Sequence, residues 1–152
     1  MLFRSEISPE NRFCLDKNSF LGNTKIFSTV LKDEYSDYYL PLLVILNSKL
    51  MNFYHKIIAS PKAGGFYDYK TQFIEKYPIK LPNNYKEFIE IANKLLDKYS
   101  LKSDALNEEQ IANILVYKLY DLTYVEVKSI DKEFELSEEE YLSFNDVTSN
   151  VN

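Results

Sequence analysis

Six lysines between residues 49 and 80 are interleaved with seven aromatic side chains, a combination that could bind nucleic acid. The lysines are Lys49, Lys56, Lys62, Lys70, Lys76 and Lys80, and the aromatics are Phe53, Tyr54, Phe66, Tyr67, Tyr69, Phe73 and Tyr77. Ammonium groups neutralise phosphates, while tyrosine hydroxyls can bond to base edges or to the backbone. Gly64 and Gly65 lie in the same segment and allow the backbone to approach a ligand closely. Lysines on a helix face beside core aromatics also occur in many domains that bind no nucleic acid, so the pattern alone leaves both readings open.

Groups that enzymes commonly use are few. His55, the only histidine, falls on the polar face of a predicted helix, where we expect a solvated surface side chain. Cys14, the only cysteine, cannot form an internal disulfide and lies in an apolar strand pattern, where we expect a small core residue. The sequence has no glycine-rich phosphate loop, no Cys/His metal cluster and no Gly-x-Ser-x-Gly motif.

Asp121 together with Glu126-x-Lys128 is faintly similar to the acid cluster of metal-dependent nucleases. The spacing is short and its context is helical. Glu126 also completes a capping box with Thr123, which accounts for its presence without a metal ion. We therefore expect neither a catalytic residue nor a metal site in this chain.

The charge is distributed unevenly along the chain. Residues 1–82 carry 11 Lys/Arg and 8 Asp/Glu, a net charge of +3, whereas residues 83–152 carry 7 and 15, a net charge of −8. This asymmetry suggests a division of labour between a basic and an acidic part of one domain. The longest apolar run, residues 40–46, is too short to cross a bilayer, so we expect a cytoplasmic protein without membrane contact.

The elements that must position these groups begin with short strands. Residues 2–4, 12–15 and 25–31 are predicted as strands, with breaks at residues 8–11, 16–18 and 22–23. Residues 38–58 follow with apolar side chains at steps of three and four, which predicts one long amphipathic helix.

A glycine-containing loop over residues 60–65 ends that helix, and the chain after residue 84 reads as helical. Two apolar stripes indicate helices there, the second capped at Asn107 with Leu106 and Ile111 as a hydrophobic staple. Capping boxes at Thr123 and Ser137 indicate two more helix starts. The predicted fold class is therefore α+β: an N-terminal mixed β region, one long amphipathic helix, a glycine-containing loop and a helical C-terminal part.

Ordered segments of the chain resemble a known family. Residues 38–54 (YYLPLLVILNSKLMNFY) form a leucine-rich helix leading into Leu-Asn-Ser-Lys-Leu and Phe-Tyr. Residues 62–67 (KAGGFY) and 70–79 (KTQFIEKYPI) resemble a glycine-containing loop and the element that follows it, and residues 116–123 (VYKLYDLT) resemble a closing helix–turn. Together they are similar to the TaqI-like C-terminal specificity domains of N6-adenine DNA methyltransferases and fused type II restriction–modification enzymes.

The resemblance implies that this domain reads the target DNA sequence, while a separate domain binds S-adenosylmethionine and methylates an extruded adenine. The Asn-Pro-Pro-Tyr/Phe motif of such a catalytic domain does not occur in this sequence. The chain is therefore expected to be non-catalytic and to need no cofactor of its own. The implied partners are double-stranded DNA and a methyltransferase or nuclease domain, supplied in cis or in trans.

On this reading, residues 1–82 form a DNA-facing α+β target-recognition region and residues 83–152 an acidic helical region of the same domain. The residues expected to face DNA are Lys62, Gly64, Gly65, Tyr67, Tyr69 and Lys70. Lysines would contact phosphates, glycines would permit close approach, and tyrosine hydroxyls would bond to base edges or backbone. Phe53 and Phe73 are expected in the core. The alternative is a protein-interaction module that docks a partner through its acidic helical face and never touches DNA.

Overall fold

The structure of the chain is a computed structural model that describes residues 1–17 and 25–148, the last four of these by backbone alone. The predicted break at residues 22–23 lies outside the described residues. The strands are β1 (Leu2–Ser5), β2 (Ile7–Ser8), β3 (Cys14–Leu15), β4 (Ile26–Thr29) and β5 (Tyr67–Asp68). The α-helices are α1 (Tyr39–Asn47), α2 (Lys49–Ile58), α3 (Thr71–Ile74), α4 (Lys86–Ser100), α5 (Leu106–Leu119), α6 (Tyr124–Ile130) and α7 (Glu138–Thr148). Short 3-10 turns cover Asp33–Tyr38 and Ala63–Gly65.

The strands form two small antiparallel sheets, which confirms the predicted α+β class. One sheet has the order β3-β1-β4, with Leu2 opposite both Leu15 and Thr29. The other consists of β2 and β5, with Ile7 opposite Asp68 and Ser8 opposite Tyr67. Strand β2 begins just before the break predicted at residues 8–11, and its partner lies about sixty residues further along the chain, so local pattern gave no indication of it.

The prediction of one long helix over residues 38–58 is wrong, because the helix is interrupted at Ser48. Ser48 has extended backbone angles (φ −67°, ψ 155°) and separates α1 from α2. Its hydroxyl accepts a hydrogen bond from the Met51 amide at 3.2 Å and donates one to the Ile45 carbonyl at 2.7 Å. A serine side chain that caps a new helix in this way competes with continuation of the old one.

The break changes which side chains are buried. Helix α1 is buried around most of its surface, with residues 41–46 all inside. Helix α2 buries Met51 and His55, while Phe53 and Ile57 are 42% and 65% exposed. The predicted core position of Phe53 is therefore wrong, and that of Phe73, 8% exposed, is confirmed.

One hydrophobic core extends across the predicted boundary at residue 82. It includes Leu2 of β1, Ile45 of α1, Phe88 of α4, Val116 of α5 and Tyr141 of α7. Helix α1 packs against both α4 and α5, and α2, which carries Lys49 and Lys56, packs against α5 and α6. This is the physical link between the two oppositely charged parts of the chain.

The helix starts after residue 100 agree only partly with the sequence analysis. Thr123 forms a complete capping box with Glu126, and Ser137 forms the same pair of bonds with Glu140. Helix α5 instead begins at Leu106, whose amide donates to the Asp104 carboxylate at 3.0 Å. The predicted cap at Asn107 is therefore wrong, and Leu106, 72% exposed, makes no hydrophobic staple.

Candidate nucleic-acid interface

A tight loop connects α2 to β5. Pro61 is bridged to Tyr67, and the Lys62 amide donates to the Phe66 carbonyl at 2.7 Å. Gly64 and Gly65 lie at the tip with φ values of +75° and +78°, in the left-handed region that disfavours any side chain. The two glycines are exposed, as a close approach to a ligand requires.

Side chains alternate along the extended segment that follows this loop. Phe66, Asp68 and Lys70 share one side of it, and Tyr67 and Tyr69 share the other, because successive residues of a strand point to opposite faces. Ile7 of β2 pairs with Asp68 and is itself 46% exposed. We call the surface formed by Ile7, Lys62, Phe66, Asp68 and Lys70 the Asp68 face.

Asp68 holds the two lysines of this face near one point. Its carboxylate lies 3.6 Å from the Lys62 ammonium and 3.3 Å from that of Lys70, and it accepts the Lys70 amide at 3.2 Å. The Asp68 side chain is 6% exposed, whereas those of Lys62 and Lys70 are 44% and 47% exposed. Glu6 adds a second carboxylate, 3.7 Å from Lys70 and 3.4 Å from Lys25. Among the described residues, Asp68 thus pairs with Lys62 and Lys70, and Glu6 pairs with Lys70 and Lys25.

Tyr69 faces the interior, which corrects its predicted DNA contact. It is 1% exposed, and its hydroxyl donates to Asn11 Oδ1 at 2.9 Å. Asn11 in turn donates to the Leu46 carbonyl at 2.6 Å, and the Tyr69 carbonyl accepts from Arg4 Nε at 2.9 Å. Burial raises the pKa of Tyr69 well above its usual value. Tyr69 therefore anchors the segment and presents no hydroxyl to a ligand.

Tyr67 occupies an intermediate position. It is half-buried, and the Lys56 ammonium lies 5.9 Å from the centre of its ring. Its ring is also tilted edge-on to His55 with centroids 6.4 Å apart. Tyr67 thus joins α2 to β5 at the border of the Asp68 face, and a contact of its hydroxyl with DNA stays a prediction.

His55 is buried, so the expectation of a solvated surface histidine is wrong. Its exposed fraction is 0%, because the break at Ser48 turns this side of α2 towards β5. Burial lowers the pKa of His55 to about 4, an effect that the nearby Asp68 opposes and that Arg4 reinforces. The Asp68 backbone lies close, but neither ring nitrogen makes a hydrogen bond of good geometry. With its pKa at about 4, the ring is neutral at neutral pH.

Cys14 is exposed, which corrects its predicted place in the core. It lies opposite Phe3 in the β3-β1-β4 sheet, with Sγ 3.7 Å from the Phe3 carbonyl. Cys14 does lie in a strand, as its sequence context predicts. Ser28, which also pairs with Phe3, lies on the same side of the sheet as Cys14 and is exposed. Alternation in a strand predicts two faces without indicating which of them is covered.

The other lysines of the predicted basic segment lie apart from the Asp68 face or are paired elsewhere. Lys49 pairs with Asp131 at 2.8 Å, and Lys80 pairs with Asp121. Both pairs join the basic part of the chain to the acidic helices. Lys76 is exposed. The sequence therefore overestimated how many lysines act together, because it could not show which of them meet carboxylates.

The residues of the nuclease-like pattern do not converge. Glu126 accepts from the Thr123 amide, which lowers the pKa of its carboxyl group, and Lys128 donates to the Phe134 carbonyl at 2.7 Å. Among the described residues no group of three or more His, Cys, Asp or Glu is placed to hold a metal ion. None of the helices in the described ranges has the length and apolar character needed to span a bilayer.

Several residues that shape the candidate interface were not among those expected to face DNA. Phe66 and Asp68 share one side of the extended segment with Lys70, Phe66 exposed and Asp68 buried. Arg4 and Asn11 hold its inner side. The period of two from Phe66 to Lys70 was the available signal for the first pair. Arg4 and Asn11 act through contacts 58 to 65 residues apart in sequence, which no local pattern reveals.

The first half of the chain matches a protein-family model. The model described as the TaqI-like C-terminal specificity domain matches residues 1–79. The matched residues include all five described strands, helices α1 to α3 and the complete Asp68 face. The match covers just over half of the 152 residues and ends before α4.

Proposed function

The chain belongs to the family of TaqI-like C-terminal specificity domains, and from this premise we propose that it recognises the target DNA sequence of a restriction–modification methyltransferase without being catalytic itself. The family supports a DNA-recognition role in restriction–modification. The non-catalytic character rests on the sequence, which lacks the Asn-Pro-Pro-Tyr/Phe motif expected of the methylating domain.

The observation that carries this proposal is the convergence of Lys62 and Lys70 beside the loop of Gly64 and Gly65. Both side chains are about half exposed and both ammonium groups lie within 3.6 Å of one carboxylate, so their positions are defined before any ligand arrives. A phosphate that approaches would compete with Asp68 for these ammonium groups and would be stabilised by both. Gly64 and Gly65, whose φ values lie in the left-handed region, form a stretch of backbone without side chains next to that site.

The acidic helical part has a separate proposed role. Residues 83–152, with a net charge of −8, are directed away from DNA or towards a methyltransferase or nuclease domain in cis or in trans. S-adenosylmethionine would be bound by that partner domain and not by this chain. The proposed compartment is the cytoplasm. Because the chain as a whole is acidic and its attraction to DNA comes from lysine–phosphate contacts, its affinity for isolated DNA is weak and strongly dependent on salt.

Sedimentation of the full chain with and without a fluorescent DNA duplex tests the proposal. We expect a DNA-dependent shift at about 50 mM salt that disappears by about 200 mM. The alternative, an interaction module with an acidic docking face, predicts no shift at either salt concentration. Incubation of the same duplex with magnesium should leave it uncut, since no nuclease activity is expected.

A further inference from the structure

The Asp68 face carries an apolar component as well as its lysines. Phe66 is 40% exposed and Ile7 is 46% exposed. Ile7 lies directly opposite Asp68 across the β2–β5 pair, so Phe66, two residues before Asp68, is its diagonal neighbour on the same face. Two large apolar side chains therefore lie beside the site where Lys62 and Lys70 converge. Phosphate binding alone gives no reason for exposed apolar groups at this place.

The loop fixes the orientation of the Phe66 ring. The Phe66 carbonyl accepts the Lys62 amide at 2.7 Å, which closes the loop at its base. A Cβ added to Gly64 would lie 3.5 Å from Phe66 Cδ2 and 3.6 Å from Cε2, so one edge of the ring is directed at the loop tip. Because the loop closes at the Phe66 backbone and one edge of the ring is directed at its tip, Phe66 presents an apolar surface that needs little ordering.

The chemical groups that DNA displays in its grooves indicate what such a surface would contact. The C5 methyl group of thymine is an apolar group at the base edges, and it is displayed in the major groove. A contact between the exposed part of the Phe66 ring and a groove requires no unstacking of neighbouring bases. The lysines beside it supply the attraction to phosphates that brings the groove within reach.

We propose that Phe66, with Ile7 beside it, contacts a thymine methyl group in the major groove and so contributes to the recognition of an A·T base pair. This inference rests on the proposed DNA-recognition function. The lysines of this surface bind phosphates, which are the same at every position and so do not distinguish one base sequence from another. The Phe66 contact would add that distinction.

The test begins with selection of duplexes from a randomised library by the full chain at low salt. Each thymine of the selected duplex is then replaced in turn by deoxyuridine, which removes only the methyl group. Affinity is measured by fluorescence anisotropy. At one position or two neighbouring positions we expect a loss of roughly fourfold, the value of one buried methyl group.

Variants assign that loss to the proposed residue. In Phe66→Ala the thymine and deoxyuridine duplexes should bind equally, whereas Phe66→Leu should retain part of the difference. Phe53→Ala is the matched control, because Phe53 is 42% exposed but lies on α2 outside the Asp68 face. It should retain the full difference. Circular dichroism melting curves verify that each variant is folded.

The possible outcomes separate this inference from the function on which it rests. If no duplex is enriched or bound, the proposed function itself is contradicted, and the inference falls with it. If a duplex binds but no thymine can be replaced with loss of affinity, only the inference is overturned. A loss that is the same in the wild type and in Phe66→Ala also overturns it.

Discussion

The imidazole of His55 stacks on the phenol ring of Tyr69 with centroids 3.8 Å apart and the two planes inclined by 18°. This stack joins helix α2 to the segment that carries the Asp68 face. Arg4 on one side and Asn11 on the other hold the same tyrosine, through its carbonyl and its hydroxyl. The exposed lysines are thus positioned by a buried layer directly beneath them.

The first prediction concerns the pH dependence of stability that this buried histidine causes. The pKa of His55 is about 4 in the folded chain and close to the ordinary 6.5 when unfolded. Above both values the ring is neutral in either state and contributes no pH dependence. As the pH falls from 6.5 towards 4, the unfolded chain binds a proton that the folded chain excludes, so stability is lost. The loss reaches about 3 kcal/mol and does not increase below the folded pKa.

His55→Phe measures this contribution because it keeps an aromatic ring and removes the titration. Urea unfolding at about pH 7 and at about pH 4.5 should show a smaller loss of the free energy of unfolding in the variant. Comparison with the wild type cancels the carboxylates that titrate over the same range. Equal losses in the two proteins would contradict the assignment. Since His55 is the only histidine, its NMR titration gives the folded pKa directly.

The second prediction concerns the salt dependence of DNA binding. Replacing Lys62 and Lys70 together by glutamine should flatten the plot of log affinity against log salt. Each phosphate contact contributes about 0.9 to this slope, so we expect a decrease of roughly one to two, since Asp68 already neutralises part of the charge. Lys86→Gln with Lys94→Gln is the control, because it makes the same charge change at exposed positions on α4. An unchanged slope in the Lys62/Lys70 variant would count against the Asp68 face.

The fold and the site differ in how far the sequence predicts them. The strand over residues 2–4 and the capping boxes of Thr123 and Ser137 depend on neighbouring residues, and all three are confirmed. Ser48 preserves the helical spacing of apolar residues on both sides while ending one helix, so periodicity could not detect the break. That single break accounts for the incorrect positions of Phe53 and His55. The pairing of β2 with β5 depends on contacts far apart in sequence.

The third prediction concerns Gly65, the second of the two glycines at the loop tip. Gly65→Ala introduces a methyl group into open space, so its cost comes from the backbone angle alone. We expect a loss of about 1 kcal/mol in stability, or an altered loop, and weaker DNA binding. Gly65→Asn should be milder, because asparagine tolerates the left-handed region better than alanine. Thermal unfolding and anisotropy measurements distinguish the two effects. Equal behaviour of the alanine and asparagine variants would argue against backbone strain as the cause.

The fourth prediction compares two ion pairs that join the basic part of the chain to the acidic helices. Asp131 is 7% exposed and binds both the Lys49 ammonium at 2.8 Å and the Tyr117 hydroxyl at 3.2 Å. Asp121, which pairs with Lys80, is 80% exposed. Removing Asp131 leaves the hydroxyl of Tyr117, a residue that is 0% exposed, without this acceptor, whereas removing Asp121 leaves only a solvated ammonium.

Asp131→Ala should therefore destabilise the chain by about 1–3 kcal/mol. Asp121→Asn should cost less than about 1 kcal/mol, since asparagine removes the charge and still tolerates the φ of +56° at this position. A third variant, Asp131→Ala with Tyr117→Phe, removes the stranded hydroxyl and should recover part of the loss. Urea unfolding of the three variants at one salt concentration gives the comparison. Equal effects of the two single substitutions would mean that burial does not distinguish these contacts. In that case, the acidic helices would not be held to α2 through Asp131.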